Sequence, residues 1–194
     1  MNEKESLDLI TRMINNTRKS IEKNAALPML IFGYASVITS LAVWLVLSFT
    51  GNPVFYILWA AIPMLGWPVL GLLKAKRSRE EATPGSYIGR IIAKMWYLLA
   101  GVMVLCMIVP FIIRGFPVAF VMTLLVAIGV SCSGLFVRYL PFIVCGFAGI
   151  LLSFAFLWIE GIVQSSVLAL IFLIIMVIPG HMLQAANNKN PKNA

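Results

Sequence analysis

The segment KAKRSREEATPGSYIGRIIAK, residues 74–94, constrains the fold more than any other stretch. It carries Lys74, Lys76, Arg77, Arg79, Arg90 and Lys94, and apolar runs of membrane-spanning length flank it on both sides. A helix needs about 20 largely apolar residues to cross the hydrocarbon of a bilayer. A basic loop between two such helices is held in the cytoplasm, so this segment orients the whole chain. Composition agrees: 61% of residues are hydrophobic and only 11% charged, against about 25% charged in soluble domains. In water the chain would expose far too much apolar surface. The expected class is an all-α polytopic membrane protein.

The formal net charge of +8 raises nucleic acid as a partner. The basic residues, however, flank apolar runs, where they act as topology signals and meet anionic lipid. No Lys/Arg stripe with interleaved stacking aromatics lies outside those runs. The reading is a bilayer with anionic inner-leaflet lipids as first partner, and no nucleic acid. Cys106, Cys132 and Cys145 fall inside apolar runs without metal-ligand spacing, and read as small packing residues. No metal site and no cofactor are expected.

Residues 1–24 read as a cytosolic amphipathic helix, polar and unlike a cleavable signal peptide. Leu7, Ile10, Ile14 and Ile21 form its apolar stripe, suited to the membrane surface or to a docking partner. Residues 25–181 then hold six transmembrane helices, at about 28–49, 53–73, 95–113, 117–137, 141–159 and 162–180, as three antiparallel hairpins. Pro28 and Pro53 suit first helical turns, and Asn52 a cap before Pro53. Pro63 and Pro68 predict a kink in the second span, and Pro179 a break near the end of the sixth. Residues 182–194 read as a disordered cytosolic tail.

With the N-terminus inside, five basic residues of the leader, six of the loop, Arg138, Lys189 and Lys192 are cytoplasmic, and Arg114 alone is outside. The reverse orientation would translocate nearly every positive charge, so both termini are expected in the cytoplasm. An internal echo accompanies this layout. Leu27 to Ala42, LPMLIFGYASVITSLA, aligns without gaps to Leu140 to Ala155, LPFIVCGFAGILLSFA, and shares Gly33/Gly146 and Ser40/Ser153. Ile62-Pro63 and Ile178-Pro179 extend the likeness to the second and sixth spans.

Small residues recur every four positions at Cys145, Gly149 and Ser153, at Gly129 and Ser133, and at Ser36 and Ser40. Such faces let helices approach closely where lipid supplies no hydrophobic drive. Intramembrane chemistry usually needs ionisable residues at depth, and none is expected there. Arg114 and Glu160 fall at outer helix ends, where they can pair. His181, the only histidine, follows Pro179-Gly180 and reads as an interfacial helix terminus whose imidazole meets open carbonyls. Ser131-Cys132-Ser133-Gly134 resembles a rhomboid protease motif, but Ser133 lies beside cytoplasmic Arg138 rather than toward the outer face. No catalytic residue is assigned.

The opening MNEKESLDLI, the run LPMLIFGY, IPMLGWP and the closing IPGHML together resemble a family of small bacterial inner-membrane proteins of unknown function. Tryptophan is usual in that family where this chain has Phe32, and asparagine where it has Gln184. The resemblance implies a multi-pass protein of the bacterial inner membrane, and a role beside small winged-helix regulators. The expected function is non-enzymatic, regulatory or scaffolding, with a cytosolic regulatory protein or a second copy as further partner. Two alternatives stand: a small permease or lipid-handling transporter using the proline-kinked second and sixth helices, and an intramembrane Ser/His enzyme.

Topology is checked by single cysteines in a background lacking the native three. Asn52→Cys, Phe116→Cys and Gly161→Cys should react with an impermeant thiol reagent applied to intact cells, and Ser86→Cys should not.

Overall fold

The computed structural model describes residues 3–80, 87–113 and 115–188. Every regular element among them is helical. Helix α1 (Glu3–Thr50) is followed by a 3-10 stretch (Pro53–Ala60), α2 (Ala61–Glu80), α3 (Tyr87–Ile112) and α4 (Val118–Val137). Helix α5 (Leu140–Ser153) closes with a 3-10 turn (Phe154–Leu157). Helix α6 (Val163–Phe172), a π-helical segment (Leu173–Val177) and α7 (Ile178–Asn188) form one continuous helical run. Six stretches among the described residues are long and apolar enough to cross a membrane: Ala26–Thr50, Val54–Leu73, Ile88–Pro110, Val118–Val137, Leu140–Leu157 and Val163–Ala186. The architecture is that of a multi-pass helical membrane protein.

Turn chemistry explains the short connections. Asn52 Oδ1 accepts from the Val54 N–H at 3.0 Å, and Pro53 starts the next helix. Between α4 and α5, Arg138 takes the left-handed conformation (φ 55°). The Tyr139 N–H then bonds the Gly134 carbonyl at 3.0 Å, and the Arg138 N–H that of Leu135 at 3.3 Å, a Schellman closure that normally uses glycine.

Several boundaries differ from the sequence expectation. Pro28 does not start a helix; it lies inside α1, which joins the leader to the first span without a break. The third helix begins at Tyr87, not near residue 95, so Arg90 and Lys94 ride on its first turns. The break in the second span is the 3-10 stretch before Pro63, while Pro68 sits within α2. Residues 182–188 of the expected tail are helical, and 189–194 lie outside the described residues. One reason covers these shifts: hydropathy marks where lipid ends, whereas a helix ends only where its hydrogen bonds do.

Packing follows a 3-4 spacing. In α1 the buried residues Ala26, Met29, Gly33, Ser36, Ser40, Val43 and Leu47 form a single stripe, the geometry of side-by-side helices. In the fifth span Phe142, Gly146, Gly149, Ser153 and Phe156 do the same. Shifted by the offset of the sequence echo, Met29, Gly33, Ser36, Ser40 and Val43 fall on these five residues one for one. A Cβ on Gly33 would lie 3.0 Å from that of Met176, and one on Gly149 would lie 2.7 Å from Ile175 Cγ2. Both helices therefore press their small residues onto the π segment of the sixth span.

Helices α4 and α5 make the most extensive helix–helix contact. Gly146 faces the Ser131 hydroxyl and backbone directly. Helix α3 lies outside this core and fully buries no residue of its apolar window. It is held by Trp96, whose indole N–H donates to Ser133 Oγ at 3.0 Å across the Gly129 face. Trp67 of α2 stacks on Tyr97 of α3 with ring centroids 4.9 Å apart, and meets Phe32 of α1 edge-on at 5.8 Å.

Gly146→Ala would place its methyl 2.7 Å from the Ser131 nitrogen and 2.9 Å from its Cα, atoms that cannot yield. A loss of about 1–3 kcal/mol is expected. Gly101→Ala, with nothing within 4 Å, should instead gain about 1 kcal/mol from helix propensity. Thermal unfolding of both variants in mild detergent checks the contrast.

Candidate functional site

The sixth span carries Pro179, which has no N–H for the carbonyl of Ile175 and whose ring would clash with it in an α-helix. The chain answers with the π segment, where the Ile178 N–H bonds Leu173 O, five residues back. That inserted residue shifts the buried face. Upstream, Ser165, Leu168, Phe172 and Ile175 are buried; downstream it is Met176, Gly180 and Leu183, while Met182 is exposed. Everything after the segment is rotated by about 100° relative to an unbroken α-helix.

Gly180 then sets the approach to α1, since a Cβ there would stand 2.9 Å from Leu30 Cδ2. The next residue, His181, points outward and meets Tyr34 of α1. The phenol oxygen and His181 Nε2 are 2.5 Å apart, and the rings meet edge-to-face with centroids at 5.7 Å. Both residues are exposed on the bundle surface. Neither makes another hydrogen bond among the described residues. Besides Arg90 and Lys94 in the first turns of α3, His181 is the only Lys, Arg, His, Asp or Glu of the six candidate spans. His181 is therefore not at a helix terminus, as expected from Pro179-Gly180; α7 continues to Asn188 and the imidazole meets a phenol, not open carbonyls. Tyr34 is the residue sequence reasoning missed. Its signal was a lone phenol within an apolar run, next to a glycine.

A second polar region is the face that carries both helix extensions and the basic residues. Helix α2 runs seven residues past Leu73 to Glu80, and α3 begins at Tyr87. Lys76, Arg90 and Lys94 are exposed there. The backbone at Leu7, Ile10, Ile14 and Ile21 belongs to α1, but their side chains, like those of Lys74, Arg77 and Arg79, lie outside those described. Glu160 is exposed in the turn before α6, and its expected partner Arg114 lies outside the described residues.

The prolines divide. Pro63 and Pro68 are exposed on the surface of α2. Pro179 is fully buried. Among the described residues no three His, Cys, Asp or Glu side chains gather as metal ligands would. Thr123, fully buried in α4, is the one residue among those described with a buried side-chain polar atom that lacks a hydrogen-bond partner. No protein-family model matches the chain, and neither does a curated protein or a solved structure.

Pro68→Ala should leave thermal stability unchanged or slightly raised, because it restores an α-helical hydrogen bond at an exposed position. Pro179→Ala should cost about 1–3 kcal/mol, because the π segment loses the residue that requires it and a buried ring is removed. Unfolding midpoints in detergent distinguish the two.

Proposed function

We propose that the protein is a non-enzymatic integral membrane component, regulatory or scaffolding, that works through its cytosolic face. The observation that carries this reading is the unbroken course of α1 over 48 residues. At 1.5 Å per residue such a helix is about 72 Å long, more than twice the roughly 30 Å of hydrocarbon. Its first 23 residues (3–25) precede the span that begins at Ala26. A leader continuous with a span favours docking of a soluble partner over lying flat on lipid. The apolar stripe of Leu7, Ile10, Ile14 and Ile21 supplies the contact, as amphipathic helices do in grooves.

The basic residues Lys74, Lys76, Arg77 and Arg79 supply a second contact, to anionic lipid of the inner leaflet. The permease alternative draws no support from the prolines, since Pro63 and Pro68 face outward and Pro179 is packed. An enzyme would need a nucleophile and base in reach of each other; Ser133 is instead bonded to Trp96 and Gly129.

The test compares tagged full-length wild type with the Ile10→Asp/Ile14→Asp double variant. After cross-linking in cells and gentle solubilisation, a cytosolic protein should accompany the wild type and fall at least about tenfold in the variant, which should reach the membrane in equal amount. Equal recovery of that protein with both chains would refute the docking role.

A further inference from the structure

From the Tyr34–His181 pair we infer that the chain pairs with a second copy of itself inside the membrane, across the outward face shared by α1 and the sixth span. This inference is independent of the cytosolic reading above. It starts from proton bookkeeping. A neutral phenol and a neutral imidazole carry two polar hydrogens, and the contact between Tyr34 and His181 uses one. If the phenol donates to Nε2, the Nδ1–H is left over and the phenol oxygen still accepts. If Nε2–H donates, the phenol O–H is left over and Nδ1 still accepts. Either way the pair presents one unspent donor and one unspent acceptor, and neither finds a partner among the described residues.

Depth decides what can meet them. Tyr34 lies four residues from the middle of Ala26–Thr50 and His181 about six from the middle of Val163–Ala186, which is roughly 6–10 Å from the midplane at 1.5 Å per residue. The hydrocarbon boundary is about 15 Å from the midplane. Water and the ester and phosphate oxygens of lipid lie beyond that boundary, and an unpaired donor left in hydrocarbon is costly. The occupant must bring its own polar groups to this depth, so it is another helix.

A second copy fits without any further requirement. Two Tyr34–His181 pairs facing each other across a two-fold axis along the membrane normal close a cycle of four hydrogen bonds, each pair giving one and taking one. That is the self-complementarity an isologous interface needs. On α1 the same face continues as the exposed apolar residues Ile38, Leu41 and Leu45, and on the sixth span as exposed Ile178, which lies after the π segment like His181 itself. The α1 residues lie 4, 7 and 11 after Tyr34, so they track one helix face toward the opposite leaflet, and Ile178 lies 3 before His181. Interhelical polar contacts of this kind bind helices in lipid where hydrophobicity does not.

The test uses the full chain in vesicles, in a background lacking the native cysteines. Ile38→Cys should form a disulfide-linked dimer on oxidation, whereas Leu105→Cys, exposed on α3, should not. Adding Tyr34→Phe, which removes only a hydroxyl, should weaken dimerisation measured by energy transfer between labelled copies about tenfold. Because the chain has one histidine, ¹⁵N-imidazole resonances give a readout that needs no variant. They should shift as the wild-type protein is diluted into excess phosphatidylethanolamine/phosphatidylglycerol vesicles. Dimers linked equally through both cysteine positions, energy transfer unaffected by Tyr34→Phe, or resonances independent of dilution would each overturn the inference. So would a monomer that retains one phospholipid in native mass spectrometry and loses it with Tyr34→Phe, which would make the occupant a lipid.

Discussion

Close backbone approach holds this bundle together. Lipid tails are as apolar as leucine, so burying a leucine between helices gains little, and contact must come from packing distance. The chain meets that demand with glycine and serine on 3-4 spaced stripes. Gly33 and Gly149 bring α1 and α5 onto the sixth span, Gly146 brings α5 onto α4, and Gly129 receives Trp96 from α3. Three buried serines bond their own helix, which lowers the cost of placing a hydroxyl in lipid. Ser40 donates to the Ser36 carbonyl at 2.6 Å, Ser131 to Ala127 at 2.9 Å and Ser153 to Ile150 at 2.7 Å. Small size and internal satisfaction are thus supplied by the same residues.

The internal echo takes on physical content here. A likeness between two apolar stretches means little while only letters are compared. The same five offsets are buried in both helices, and both helices press on the same π segment. Burial in a bundle is set by neighbours rather than by composition, so the agreement concerns placement as well as sequence. The tertiary contacts still differ: Gly33 meets Met176 and Val177, while its counterpart Gly146 meets Ser131.

Much of the fold was legible because the requirement for a span is local. Twenty apolar residues in a row identify a spanning helix with no knowledge of what surrounds it. The turn at Asn52-Pro53 was legible for the same reason, since cap and proline act on adjacent residues. Helix ends facing the aqueous side were not. At Lys76, Arg90 and Lys94 the apolar run gives way to charge while the helix continues, and hydropathy registers only the first event. The Tyr34–His181 pair was illegible for a deeper reason. Its members are 147 positions apart, and the face on which His181 emerges depends on an extra residue in the helix before it. No periodicity count that assumes 3.6 residues per turn throughout can place it.

That extra residue also changes what the sixth span can tolerate over evolution. A helix wedged between two others cannot ordinarily gain or lose a residue, because every side chain beyond the change would turn away from its partner. The π segment acts as an expansion joint. It takes up one surplus position between Leu173 and Val177 and leaves both flanks seated on α1. A chain lacking both the surplus residue and Pro179 would thread the same path as a plain α-helix, with its histidine still beside the phenol. Length variation in relatives of this protein should therefore collect at this one place in the membrane and be rare in the other five spans.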